Sequence, residues 1–384
     1  MHEATKAPKI SSYDYIVIGG GAAGIPLATT LSANYSVLLL ERGGSPYGNP
    51  NITSVFNFGS YFLDASPNCP SQQFISEGVI NSRARVLGGG TCINAGFYSR
   101  RSRPLAYGVV FEDSLGNKHK AYLKGGQKDE IILSAGALAS PQLLMLSGIG
   151  PKEQLNAHKI KVMLYQPFVG KGMADNPMNS IFVPSPVAVE PSIVQVVGIT
   201  RFGSYIEEAG GFNFIFANPS AYQGFSPQIE NLNPADNPSV TFNYFKEPKD
   251  LQKCVSGIKI ILRAAESKAF SNYKYANMTV KDILDLNLKL PVNLRAHANT
   301  SSSLEQYCKD TVRSMWHYHG GCRIGKVVDH EYKVFGVDAL RVIDGSTILN
   351  TPGTNPQASV LILGRYMGVT ILGERLSSDD NNKN

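Results

Sequence analysis

The sequence predicts a mixed fold, α/β + α+β, in which a Rossmann-like unit is interleaved with a unit built on an antiparallel sheet. Three observations predict it. The chain opens with an apolar strand, a glycine turn and a helix, "YDYIVIGGGAAGIPLATTLS" (13–32). Segments of related character recur much later, in "IILSAGALASPQLLMLSGIGP" (131–151) and in the strand "LRVID" (340–344). The middle reads differently, with strands such as "NSIFVPSPVAVE", "GFNFIFA" and "SVTFNYF". It also holds one helix near "DLQKCVSGIKIILRAAES", whose apolar residues recur at helical spacing. The expected boundaries are 12–175 with 315–376 for the Rossmann-like unit and 176–314 for the antiparallel unit, within a chain of 384 residues. Residues 1–11 and the polar tail 377–384 are expected to be flexible.

In the first unit, Gly19, Gly21 and Gly24 stand at the spacing G-x-G-x-x-G. The first glycine makes the tight turn, the second lets backbone approach a pyrophosphate, and the third lets the helix pack close on the strand. The helix N-terminus then aims unpaired N–H groups at the phosphates. The second strand, "SVLLLERG", ends in Glu41, 22 residues after Gly19, where a carboxylate would accept from an adenosine ribose. The functional reading is FAD or NAD; Arg42 follows Glu41, a pairing that resembles the flavoprotein version of the motif and so leans toward FAD. The alternative is a glycine-rich turn in some other α/β protein.

A second glycine segment, "RARVLGGGTCINAGFYSR" (83–100), runs through Val86 and Gly89 to Thr91, Asn94, Ala95 and Gly96. Its backbone N–H groups, hydroxyl, amide and small residues could wrap a pyrophosphate and the edge of a flavin ring. Read alone it is a glycine-rich loop. In the third segment, Ser134-Ala135-Gly136 let the chain pass close to a ligand, Pro141 suits a first helical turn, and Gly148 stops the helix.

Composition narrows the function. Hydrophobic residues make up 43% of the chain and charged residues 17%, enough for a sizeable core. The net charge of +6 comes from scattered Lys and Arg with no basic run, which argues against a nucleic-acid partner. No apolar run reaches the roughly 18 residues of a membrane span. The first residues show no signal-peptide pattern, yet sequons stand at Asn34, Asn51, Asn277 and Asn299. Five scattered cysteines are neither a disulfide scaffold nor a zinc motif, and leave room for one bridge or two.

Near the end, "WHYHGG" (316–321) offers two imidazoles. They could ligate a metal, take a proton, or fill a core. In an extended strand His317 and His319 point the same way, but no carboxylate or cysteine cluster supplies a third ligand, so no metal is expected. An imidazole titrates near neutrality and suits a proton acceptor. Farther on, Asn355-Pro356 reads as a helix N-cap with proline at N1, ahead of Gln357 and an apolar helix.

Together these segments resemble the glucose–methanol–choline (GMC) oxidoreductases, FAD enzymes that oxidise alcohols. The similarity continues through "VGKGMADNP" (169–177) and "YMGVTILGERL", and the wording of "RARVLGGGTCINAGFYSR" and "TPGTNPQAS" is nearest the plant HOTHEAD-like and mandelonitrile lyase-like group. The resemblance implies FAD as cofactor, a small-molecule alcohol as substrate (long-chain ω-hydroxy fatty acids in the HOTHEAD group), a monomer, and an extracellular or secretory location. It implies His317 as catalytic base and His319 as structural. Asn355 falls where the family has the second member of its catalytic pair. Trp316, Asp344, Gly345, Pro356 and Gln357 match cofactor contacts, with a surface turn the alternative at Asp344-Gly345. The lyases carry a tyrosine where this chain has Met315, which favours oxidation over cyanohydrin cleavage. Compared with the family pattern, well over a hundred residues are absent after Arg100, and a smaller piece near 225–240. A catalytically dead, truncated form is therefore the third reading.

Overall fold

Strands Tyr15–Ile18, Val37–Leu40, Glu130–Leu133 and Leu340–Val342 are short apolar runs, and they pair in parallel. The computed structural model describes residues 2–47, 69–89, 103–189, 196–209, 214–219, 231, 233, 236–290, 292–298, 300–350 and 356–381. In space the order of the four strands is Leu340–Val342, Glu130–Leu133, Tyr15–Ile18, Val37–Leu40, so the sheet is made from both ends of the chain. Side chains alternate across it. Tyr15, Val17 and Ile132 face two helices, α1 (Gly24–Leu31) and the long α7 (Gln357–Asn381). Ile16, Ile131, Leu133 and Val342 face a second apolar layer that includes α2 (Gly136–Leu146) and α3 (Lys152–Ala157).

Helices α1 and α7 cross with almost no space between their backbones. A Cβ on Gly364 would lie 2.1 Å from the Ala23 carbonyl oxygen, and one on Gly368 would lie 2.7 Å from Thr30 Cβ. Only glycine admits that approach. The other end of α7 is tied down by charge: buried Arg341 bonds Glu130 beside it in the sheet and Glu374 on the helix at 2.8 Å. Proline 141 lies inside α2, not in its first turn, because Asp344 already caps that helix at Gly136 and Ser140.

Strands Gly108–Glu112 and Lys118–Leu123 form a hairpin, and the Asp113 carboxylate accepts from Leu115 N and Asn117 N at its turn, both at 2.9 Å. Strand Ile10–Tyr13 adds to the hairpin in parallel, after a short turn Ala4–Lys6. The segments expected to be flexible, 1–11 and 377–384, include described residues that take regular structure. The first is pinned by pairing and by His119, whose Nδ1 lies 3.2 Å from the Pro8 carbonyl, and α7 runs on to Asn381.

The second unit is a five-stranded antiparallel sheet in the order Val196–Ile199, Ser204–Ala209, Phe214–Pro219, Pro177–Ile181, Arg313–Ser314. Helix α4 (Pro248–Ala265) packs on it, burying Val255, Ile258, Ile261 and Leu262 in its core. Helix α5 (Val280–Leu288) starts with a capping box of Thr279 and Asp282, and α6 (Leu304–Asp310) starts at Ser303. A disulfide joins Cys254 on α4 to Cys308 on α6. The stretch "SVTFNYF" makes no strand. Asn243 and Phe245 take positive φ, which breaks the extended run and turns Phe242, Tyr244 and Phe245 into the core.

Candidate active site

A cavity of about 760 Å³ opens at the carboxyl ends of the parallel strands, where Ile18, Leu40, Ser134 and Asp344 leave the sheet. This is the end at which open α/β sheets bind ligands, and the volume falls in the range of cofactor pockets. The hairpin residues Val109–Asp113 close one side.

The glycine turn forms the floor. Gly19 has φ +104°, and a Cβ there would lie 2.3 Å from the Ser134 carbonyl oxygen. A Cβ on Gly24 would lie 1.9 Å from the oxygen of Gly19, so Gly24 serves packing and stands behind the wall. The second glycine segment folds onto the first: Gly88 N donates to Gly20 O at 2.7 Å, and a Cβ on Gly89 would lie 2.7 Å from Gly21 Cα. Glu41 holds the turn from the next strand, its carboxylate accepting from Gly20 N at 2.8 Å and Gly43 N at 2.7 Å.

Gly19, Gly21, Glu41, Arg42, Gly89, Trp316, Asp344 and Gly345 thus share one cavity wall. Asp344 is buried, which removes the surface-turn alternative; Gly136 N and Ser140 donate to one of its carboxylate oxygens and Ser346 N to the other, while burial pushes its carboxyl up from the ordinary range. Val86 is buried beneath the wall in a bridge to Gly44. Pro356 is buried immediately before α7, and Gln357 begins that helix; farther along it Val360 reaches the cavity. Thr91, Asn94, Ala95, Gly96 and Asn355 lie outside the described residues.

The histidine strip turns its side chains alternately. Trp316, with φ +57°, and Tyr318 face the cavity, whereas His317 and His319 are buried and do not contribute to its described wall. The His317 ring meets Asn176, whose Nδ2 stands 3.1 Å from Nδ1. Its backbone N donates to Asp175 Oδ1 at 3.0 Å, and Asp175 Oδ2 accepts from Tyr244 OH at 2.8 Å and Ser314 Oγ at 2.5 Å. Burial, with the neighbouring His319, lowers His317 to about 4, so the ring is neutral at pH 7. Burial raises Asp175 to about 6. His319 Nδ1 donates to the His317 carbonyl at 3.0 Å. Among the described residues no group of three or more His, Cys, Asp or Glu is placed to hold a metal ion.

Several residues of this site carried no sequence signal. Arg83 lines the cavity beside Arg42, and burial with the Arg42 charge pushes its guanidinium down to about 9. Burial also lowers Arg42. Asp175, Asn176, Tyr244 and Asn81 meet the histidine strip from three other parts of the chain. The "DNP" of "VGKGMADNP" was the one available hint.

Comparison with known proteins agrees with this geometry. The GMC oxidoreductase family matches residues 101–178 and 228–364. The chain is 39% identical to Protein HOTHEAD of Arabidopsis thaliana, over 96% of this chain and 89% of that one. It is 33% identical to an (R)-mandelonitrile lyase-like protein of the same plant, over 98% and 92%. The HOTHEAD alignment spans 530 positions against the 384 residues here, so that relative carries at least 146 residues without a counterpart in this chain. A formate oxidase of Aspergillus oryzae superposes with a TM-score of 0.77 at 16% identity, over 97% of this chain and all of that one, which establishes the fold. Among the described residues no helix is long and apolar enough to cross a membrane. With two matched segments, relatives aligned over nearly their whole length, and a glycine cradle at the mouth of a parallel sheet, this chain belongs to the GMC oxidoreductase family of FAD-dependent flavoproteins.

Proposed function

We propose that this chain oxidises the CH–OH group of a small-molecule alcohol with FAD as cofactor. The observation that carries the reading is the cavity of about 760 Å³ bounded on one side by the glycine cradle and on another by Trp316 and Tyr318, the residues that flank His317. The residues fit the cofactor. The turn that leads into α1 lines the cavity through Gly19, Gly21, Ala22 and Ala23, so backbone can approach a pyrophosphate there. Arg83 is a buried cation and Arg42 an exposed one on the same cavity wall, and a negatively charged group between them would offset the charge of both. Glu41, although bonded to Gly20 and Gly43, keeps lone pairs for ribose hydroxyls.

When bound, FAD supplies the acceptor for the hydride of the alcohol carbon. The chain's part is to hold the alcohol and manage its proton. His317 is neutral at pH 7 and can therefore take a proton; Asn355 cannot, and would hydrogen-bond the substrate oxygen instead. Gly19, Gly21, Gly24, Glu41, Arg42, Val86, Gly89, Thr91, Asn94, Ala95, Gly96, Trp316, Asp344, Gly345, Pro356 and Gln357 form the cofactor's surroundings in this reading. A long-chain ω-hydroxy fatty acid is the first alcohol to test. The Cys254–Cys308 bridge and the exposed sequon asparagines Asn34 and Asn277 support a secretory location.

The test is the visible spectrum of the purified protein with added FAD. The expected result is a bound oxidised-flavin spectrum that an ω-hydroxy acid bleaches without oxygen. A folded protein that retains no flavin overturns the reading in favour of a truncated, inactive form. Benzaldehyde release from mandelonitrile, with no bleaching by any alcohol, overturns it in favour of lyase chemistry.

A further inference from the structure

A base needs an open nitrogen, and only one of the two nitrogens of a neutral imidazole has a free lone pair. Which one is free is decided by what the other nitrogen bonds. At His317 that partner is Asn176. Its Nδ2 stands 3.1 Å from His317 Nδ1, and both residues are buried, so water does not compete for the contact.

We propose that Asn176 is a positioning residue that governs which nitrogen of His317 is open to a proton, a role that rests on His317 being the base. In the arrangement seen here the amide donates to Nδ1. The neutral ring then carries its own proton on Nε2 and presents a hydrogen-bond donor. Turned over about its last side-chain bond, the same amide offers its oxygen to an Nδ1–H, and Nε2 is left with a free lone pair. When Nε2 takes a proton the ring has two N–H groups, and only this second orientation satisfies Nδ1. The amide can therefore serve either neutral tautomer and the charged ring, whereas a carboxylate serves only a ring with a proton on Nδ1 and an aliphatic side chain serves none.

The surroundings hold the ring so that the amide decides. Asp175, next in sequence, fixes the His317 backbone N–H at 3.0 Å, and Tyr244 and Ser314 hold that carboxylate. Met315 N donates to the Asn176 carbonyl at 3.3 Å. The titratable group that acts on the ring is His319, whose Nδ1 is occupied by the His317 carbonyl; Asp175 meets the His317 backbone N–H, and Arg323 acts on His319. In the described contacts His317 Nδ1 bonds Asn176, and neither Asp175 nor His319 reaches it.

The experiment reads the protons directly. Protein labelled with ¹⁵N in its histidine rings, assigned with His317→Gln, is measured by long-range proton–nitrogen correlation for the wild type, Asn176→Asp and Asn176→Leu. The expected result is a single Nε2–H tautomer in the wild type, a switch to Nδ1–H in Asn176→Asp, and a mixture in Asn176→Leu. A carboxylate facing the ring should also raise its titration midpoint by about 1 to 3 pH units. The same tautomer ratio in all three proteins, or a mixture already present in the wild type, overturns the proposal. The wild-type spectrum decides even where a variant fails to fold. In FAD-loaded protein, Asn176→Asp should move the acid limb of alcohol-driven bleaching to higher pH. A switched tautomer with an unmoved profile keeps Asn176 as the positioning residue and removes His317 as the base.

Discussion

Around the cavity, the wall at Gly19–Gly24 is backbone packed on backbone, whereas the wall at Ser314–His319 is side chain bonded to side chain. The first is held by what is missing: the glycines bring the Gly19 turn against Ser134, Gly20 against Gly88, and Gly21 against Gly89. The second is held by what is present: Asp175 gathers the Tyr244 and Ser314 hydroxyls and the His317 N–H, and Asn81 accepts from Tyr318 OH at 3.0 Å. Rigidity in the cradle is mainly steric, with the Glu41 carboxylate as a polar tie at Gly20. Rigidity in the strip is polar and depends on protonation, which suits a place where a proton must move.

The largest effect should come from filling the cradle. Gly24→Ala puts a methyl 1.9 Å from the Gly19 backbone oxygen and 3.3 Å from Ser134 Cβ, so the Gly19 turn must open to admit it. A cost of about 3 kcal/mol is expected, at the upper end for overpacking, together with loss of FAD retention. Urea unfolding and the flavin spectrum measure the two. A variant of wild-type stability would mean that the cradle is looser than the backbone contact implies.

The difference between the two walls also explains what could be read in advance. The cradle was legible because its requirement is local: three glycines at fixed spacing, after a strand and before a helix, with Glu41 closing the next strand. The strip was legible only as far as its own six residues. Its partners Asp175, Asn176 and Asn81 bond from 139 to 237 residues away, and Asp, Asn, Ser and Tyr are common enough to carry no signal alone. Asn176 stood inside a quoted motif without any indication that its amide faces His317. The strand expected at "SVTFNYF" failed for a related reason. Its apolar alternation is real, but it is used to place Phe242 against Tyr318, with ring centroids 5.3 Å apart, not to pair in a sheet. The parallel sheet, by contrast, followed from short apolar runs that had to be buried on both faces.

A pH series separates the walls. His317 has its folded pKa lowered to about 4, against 6.5 unfolded, so its contribution to stability is intact above 6.5 and is lost as pH falls toward 4. Between pH 7 and pH 5 the wild type should lose about 2 kcal/mol more than His317→Gln, and Gly24→Ala should follow the wild type across the series. Asp175 works in the opposite sense. Its folded pKa is raised to about 6, so its stabilisation is full below about 4 and is lost as pH rises through 6. Tyr244→Phe removes one donor from that carboxylate and should cost about 1 to 2 kcal/mol, more at pH 8 than at pH 5, because the ionised form needs the bond more. Chemical denaturation at pH 5, 7 and 8 reads both. A Tyr244→Phe cost that does not vary with pH would place the titration elsewhere.

The smallest effect belongs to the hairpin that closes the cavity's open side. His119 Nδ1 faces the Pro8 carbonyl at 3.2 Å and Nε2 faces Asp113 at 3.1 Å. Both partners are acceptors, so both bonds form only when the ring carries two protons. The Asp113 hydrogen bond raises the His119 pKa above its ordinary 6.5, with the Pro8 bond adding to it. Hydrogen bonds from Asn117 and His119 outweigh burial at Asp113 and hold its carboxyl below the ordinary range. The sign follows: the contact is full below 6.5 and weakens as pH rises through the raised value of the histidine. Strand Ile10–Tyr13 should then exchange its amide hydrogens faster at pH 9 than at pH 6, after correction for the intrinsic rate, while Tyr15–Ile18 in the parallel sheet should not. His119→Gln can bond only one of the two acceptors with its NH₂ group in any one pose, and should show the faster exchange at both pH values. Equal protection of Ile10–Tyr13 at pH 6 and pH 9 in the wild type would show that strand pairing alone holds the first strand, and that this edge of the cavity is indifferent to the protonation of His119.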